Sequence, residues 1–224
     1  MRLCLCLEVS YRMTSLDKYL KRIHIGDLKT LMKIYWENKP IFKSGYFWSS
    51  IFLAIIAVFL PSFALISKIE IIRFISDNAI AIFPNILGFN LGGYILLISL
   101  NTSNLLDELT EPEKGKDFSF YQKMSSVFAF SILVQVSVLI FSLVCLLVIN
   151  IGEGVAVDYW FAETINYTSL FISSFLLAYS TLLIFQIVLN IFNFGQVMHF
   201  LIRMDILDKS HSLKPKNQKR KKRS

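Results

Sequence analysis

Four long stretches of this chain carry no Asp, Glu, Lys or Arg: 44–67, 78–106, 124–152 and 164–202. All four are rich in Leu, Ile, Val and Phe. An α-helix rises about 1.5 Å per residue, so about 20 apolar residues cross a hydrocarbon core about 30 Å thick. Each run is long enough. The chain therefore reads as an all-α, polytopic membrane protein with four transmembrane helices, at about 46–66, 79–100, 126–149 and 169–192. Of its 224 residues, 54% are hydrophobic and 17% charged, a balance outside that of ordinary soluble domains. What lies outside the spans is divided among tails and loops, none large enough for a substantial core of its own. The expected organisation is an amphipathic N-terminal segment over 1–45, a membrane domain over 46–193, and a helix extension with a basic tail over 194–224.

The distribution of basic residues sets the orientation. Nine of the 23 Lys and Arg fall in 1–45 and nine more after residue 202. The second loop has three (Lys114, Lys116, Lys123), the first has two (Lys68, Arg73) and the third has none. The positive-inside rule then puts both termini and the second loop in the cytoplasm, with 21 basic residues inside and two outside. No cleavable signal peptide is expected, because the first apolar run starts beyond residue 43 and no small-residue cleavage site follows it. Cys4 and Cys6 stand two apart with no other metal ligands nearby, and Cys145 lies within the third span, so all three read as reduced thiols. Met13 is an alternative start, since 14–17 reads as a helix N-terminus.

Several segments outside or within the spans have chemistry of their own. Residues 14–36 are amphipathic, with Gly26 as an interruption and Asp27 placed to cap a second helix bearing Leu28, Leu31, Met32 and Tyr35 on one side. Lysines opposite apolar residues suit a helix at the cytoplasmic lipid surface. Tyr46, Phe47 and Trp48 sit where an interfacial aromatic belt belongs, and Pro61 is placed to bend the outer end of the first span. In the second span, Gly88 and Gly92 stand four apart on one face with Asn85 about 60° away. Small residues at that spacing let another helix approach closely, so Asn85, Gly88 and Gly92 form a candidate packing seam, within the protomer or between copies in a homo-oligomer. On the third span, Ser131, Gln135 and Ser142 share a face. On the fourth, Gln186, Asn190 and Asn193 align, with Gln196 somewhat off the row. Such amides either bond across helices or line a wet cavity. The fourth charge-free run, 39 residues, exceeds what a bilayer requires, so its helix is expected to continue into the cytoplasm.

The second loop is acidic although it lies on the cytoplasmic side. Asp107, Glu108 and Glu111 gain nothing from an anionic lipid surface, and they can pair with the basic tail or with a basic partner protein. The tail ends in Lys219, Arg220, Lys221, Lys222 and Arg223, a run that attracts anionic lipid at about 1 kcal/mol per charge near the surface. No aromatic residues are interleaved to stack bases, which argues against nucleic-acid recognition. No Asp, Glu, Lys, Arg or His lies within any span, and HExxH, GxSxG and phosphate-loop patterns are absent from the sequence. The expectation is a protein without covalent chemistry, catalytic residues, cofactor or metal.

Four spans, cytoplasmic ends, a short chain and charge-rich inner surfaces resemble the membrane subunit of the Kiwa anti-phage defence system of bacteria, with 87–94 (LGFNLGGY) the segment most similar. The resemblance implies an inner-membrane protein that works with a cytoplasmic effector to sense infection and restrict phage. It assigns no functional residues. Small bacteriocin-immunity proteins share a similar layout. A membrane scaffold or sensor is the leading expectation, with an oligomeric holin-like channel and an immunity protein as rivals.

Overall fold

The computed structural model describes residues 27–38, 40–64, 66–99, 110, 118–152 and 158–213. The early cysteines, the first amphipathic stretch, the acidic residues Asp107, Glu108 and Glu111, and the basic run Lys219, Arg220, Lys221, Lys222 and Arg223 lie outside those residues. The described chain is helical, with no strand among the described residues. Its helices are α1 (Leu28–Asn38), α2 (Gly45–Ala64), α3 (Lys68–Ser99), α4 (Phe120–Gly152) and α5 (Tyr159–Leu213), with a 3-10 turn at Ile41–Lys43 before α2.

Local chemistry fixes several of the helix ends. Asp27 caps α1, its Oδ1 accepting the Thr30 backbone N–H at 2.8 Å. Hydrogen bonds from the side chain and backbone of Thr30 hold the Asp27 carboxyl below the usual carboxylate range. Ser119 and Gln122 form a reciprocal box at the start of α4. The Ser119 backbone N–H donates to Gln122 Oε1 at 3.0 Å, and the Gln122 N–H donates to Ser119 Oγ at 3.2 Å. At the start of α2, Trp48 Nε1 donates to the Phe42 carbonyl at 2.8 Å and ties the helix to the preceding turn.

The helices α3, α4 and α5 are each long and apolar enough to cross a membrane. Counted as one bent span with α1, from which it turns by 52°, α2 brings the number to four. The helices α3, α4 and α5 all begin earlier than the apolar runs suggest, α4 at Phe120. Starting at Lys68 rather than near residue 79, α3 takes in most of the expected first loop. Likewise α5 starts at Tyr159 rather than near 169 and runs unbroken for 55 residues, about 80 Å. Charges mark where hydrocarbon stops being tolerable. They do not stop a helix, because Lys68, Glu70, Arg73 and Asp77 are all compatible with helical backbone in a polar setting.

Within the bundle α5 is central, packing on α2, α3 and α4, while α4 also packs on α3 and α1. α4 runs antiparallel to α3 and α5, and α2 antiparallel to α5, whereas α3 and α5 run parallel, with Lys68 and Glu163 paired at their starts. Along α4 and α5, Met124 clusters with Ile187 and Phe194 near one end, Val138 with Leu176 and Leu177 midway, and Cys145 with Leu170 near the other. The end holding α1 and the start of α4 is called here the Tyr35 end, and the opposite one the Lys68 end. Less than a third of each spanning window is buried inside the bundle. Among the described residues, far more Leu, Ile, Val and Phe side chains are exposed than buried, an arrangement stable in lipid and costly in water.

Candidate functional site

The interior of the bundle is unusually polar for a set of apolar helices. Asn90 on α3 and Gln135 on α4 are 1% and 0% exposed, and Asn90 Nδ2 donates to Gln135 Oε1 at 2.9 Å. Each amide leaves its other polar atom, Asn90 Oδ1 and Gln135 Nε2, without a hydrogen-bond partner. Ser131, one turn before Gln135, is fully buried with an unpartnered Oγ, and Gln186 on α5 is buried with an unpartnered Nε2. Buried polar groups are normally satisfied, and an orphan costs about 1–3 kcal/mol. These unsatisfied groups form a polar seam shared by three helices.

Toward the Tyr35 end the seam meets an aromatic cluster. Tyr35 of α1 is 1% exposed and stacks on Phe130 of α4, ring centroids 3.9 Å apart. Val127, Phe130, Tyr179 and Leu183 surround it, with Phe47 of α2 packed against the group. Phe47 makes edge-on contacts with both Phe175 and Tyr179. The Tyr35 hydroxyl faces Tyr179 and Gln186, yet the Tyr179 hydroxyl meets no partner in hydrogen-bond geometry. At this one place α1, α2, α4 and α5 converge. The ammonium of Lys33 adds a second tether for α1, 5.6 Å from the ring centre of Phe118, the buried residue that precedes α4.

Part of the apolar face of α1 is therefore spent on protein. Met32 and Tyr35 pack into the α4–α5 cluster, while Leu28 and Trp36 stay exposed. The serine–glutamine face expected on the third span is found buried, with Ser131, Gln135 and Ser142 all interior. The amide row on α5 is graded by depth: Gln186 is buried, Asn190 half-buried, and Asn193 and Gln196 exposed. Asn190 Nδ2 has no partner.

The candidate packing seam of α3 lies on the outside. Asn85, Gly88 and Gly92 are exposed, and a Cβ built on either glycine would meet nothing within 4 Å. Asn90, about 160° around the helix from Gly92, is the residue that faces the interior. At the neighbouring Gly93 a Cβ would lie 3.7 Å from the Phe128 ring. Among the described residues, no group of three or more His, Cys, Asp or Glu is placed to hold a metal ion. Cys145 is buried beside Ser173, with 4.0 Å between Sγ and Oγ.

Compared with known proteins, the chain matches no family model, no curated protein and no solved structure.

Proposed function

We propose that this chain is a non-enzymatic scaffold or sensor subunit of a bacterial inner membrane, with both termini cytoplasmic, that couples the membrane to a cytoplasmic effector protein in anti-phage defence. The observation that carries the reading is the insertion of Tyr35 into the bundle. It joins the N-terminal segment directly to the polar seam, so a change in membrane packing and a change in the position of α1 are mechanically linked. The start of α4 and the long C-terminal half of α5 gather at the same end. On the positive-inside rule that end is cytoplasmic, and 21 of 23 basic residues go with it. The defence assignment rests on the resemblance to the Kiwa membrane subunit.

Purification of the tagged chain from host membranes in mild detergent tests the reading. A stoichiometric soluble protein should accompany it. Replacing Lys219, Arg220, Lys221, Lys222 and Arg223 with Gln, or reversing Asp107, Glu108 and Glu111 to Lys, should weaken that association without preventing insertion. Unchanged co-purification from both variants would remove the proposed interface.

The exposed glycine face supports self-association of copies through α3. Because Gly88 is exposed and a Cβ there would meet nothing within 4 Å, Gly88→Leu should abolish the assembled species on sizing while the protomer unfolds at an unchanged temperature. A monomer from the unaltered chain would end this part of the proposal. The exposed amides of Asn193 and Gln196 favour a second reading, an oligomeric pore. It predicts ion flux in liposomes that changes with Asn190→Leu.

A further inference from the structure

A recess of about 240 Å³ opens at the Lys68 end, between the turn that follows α2 and the start of α5. Ser67, Lys68, Glu163 and Asn166 line it with polar groups, and Ile66 and Ile69 with apolar ones. Lys68 Nζ donates to Glu163 Oε1 at 2.6 Å, and the two side chains keep 20% and 28% of their surface exposed. The ammonium also sits 4.2 Å from the centre of the Tyr167 ring. An ion pair that is partly open inside a recess presents both charges to whatever enters. A ligand with a single charge is attracted by one partner and repelled by the other. A ligand carrying both charges, laid antiparallel, is attracted by both.

We propose that this recess binds the headgroup of a zwitterionic phospholipid with a primary ammonium. The phosphate lies against Lys68, with the Asn166 amide and the Ser67 hydroxyl as further donors. The ammonium donates to the second carboxylate oxygen of Glu163. A quaternary ammonium has no N–H to give and forfeits that bond. The location suits a lipid. The recess sits where two charge-free runs stop, at residues 67 and 164, and Tyr159 and Trp160 are exposed nearby in sequence, as aromatic side chains at headgroup level are. Ile66 and Ile69 are exposed beside the charges and offer a surface for the first acyl carbons. The volume is below the roughly 300–1,000 Å³ of sites that enclose drug-sized ligands, as expected where the chains stay outside.

The full-length protein, reconstituted separately with phosphatidylethanolamine, phosphatidylcholine and phosphatidylglycerol and then released into detergent, provides the test by native mass spectrometry. Phosphatidylethanolamine should be retained about tenfold over the other two, the effect of one charge-assisted hydrogen bond. Glu163→Gln should erase the preference over phosphatidylcholine. Asn166→Trp, which fills the recess, should reduce retention of all three lipids, with thermal unfolding reporting whether each variant is folded. Soluble phosphoethanolamine at equal concentration should not compete. If it does, the ligand is a soluble zwitterion and the lipid assignment fails. Equal retention of the three lipids by the unaltered protein, or undiminished retention of phosphatidylethanolamine by folded Asn166→Trp, would overturn the site.

Discussion

Gln135→Leu should destabilise the bundle by about 1–3 kcal/mol, and adding Asn90→Leu to the same chain should restore most of the loss. The asymmetry follows from what each change leaves behind. In the unaltered protein the two buried amides share one hydrogen bond, and each already has one idle polar atom. Hydrogen bonds between membrane helices have a mean net worth of only about 0.6 kcal/mol. The bond itself therefore contributes little. Removing Gln135 alone leaves both polar atoms of Asn90 unpaired at 1% exposure, and that orphan, not the lost bond, sets the cost. With Leu at both positions nothing polar remains to be satisfied, and the pair becomes apolar surface between α3 and α4. Unfolding the four chains of the cycle with a denaturing detergent in mixed micelles gives the coupling energy. A double variant as unstable as the sum of the singles would mean that the two amides do not act together. A double variant that is stable yet loses the proposed partner protein on co-purification would assign the seam to function rather than folding.

The sequence revealed helices and apolar length but not which way most faces point. Periodicity finds the inside of a soluble helix because the outside is polar. Here both sides of a helix are apolar, one for protein and one for lipid, so the pattern is flat. Asn85 and Asn90 illustrate the difficulty. Five residues apart, they lie about 140° around the helix from each other, and the glycine spacing drew attention to Asn85. The structure turns Asn90 inward and leaves Asn85 exposed. Only polar residues that repeat along a face carried a usable signal. Ser131, Gln135 and Ser142 did so, and all are interior. Gln186, Asn190 and Asn193 share a face by their spacing, but no sequence rule foretold their grading from buried to exposed. Phe194, next to Asn193, is buried against Met124 and Phe120, and Val197, next to Gln196, packs on the same cluster, while the two amides are exposed. Tyr35 had the right phase on its helix, yet its contact with Phe130 joins residues 95 positions apart, and no local pattern encodes that. The Lys68–Glu163 pair is non-local in the same way.

Tyr35→Ala should release α1 from the bundle while the spanning helices stay folded. Truncating a buried aromatic side chain to Ala costs about 3–5 kcal/mol, and here the loss falls on a single short element. With 11 residues, α1 is below the roughly 12–15 at which an isolated helix is even marginal in water. Its helicity therefore depends on the docking that Tyr35 and Met32 provide. A loss of 3 kcal/mol or more corresponds to at least about a hundredfold shift toward the undocked state. Backbone amides over Leu28–Asn38 should then exchange with solvent at least that much faster, and trypsin should cut at Lys29 and Lys33, while protection of α4 and α5 is retained. Tyr35→Phe separates the two parts of the side chain. It keeps the stack on Phe130 and removes only the hydroxyl that faces Tyr179 and Gln186, so α1 should stay protected. Unchanged exchange over α1 in Tyr35→Ala would show that Tyr35 does not hold it, and the mechanical link between membrane seam and N-terminal segment would fall with that result. Release of α1 together with loss of the co-purifying protein would place the link on the path to the effector. Release with full retention of the partner would move the interface to the second loop or to the C-terminal end of α5.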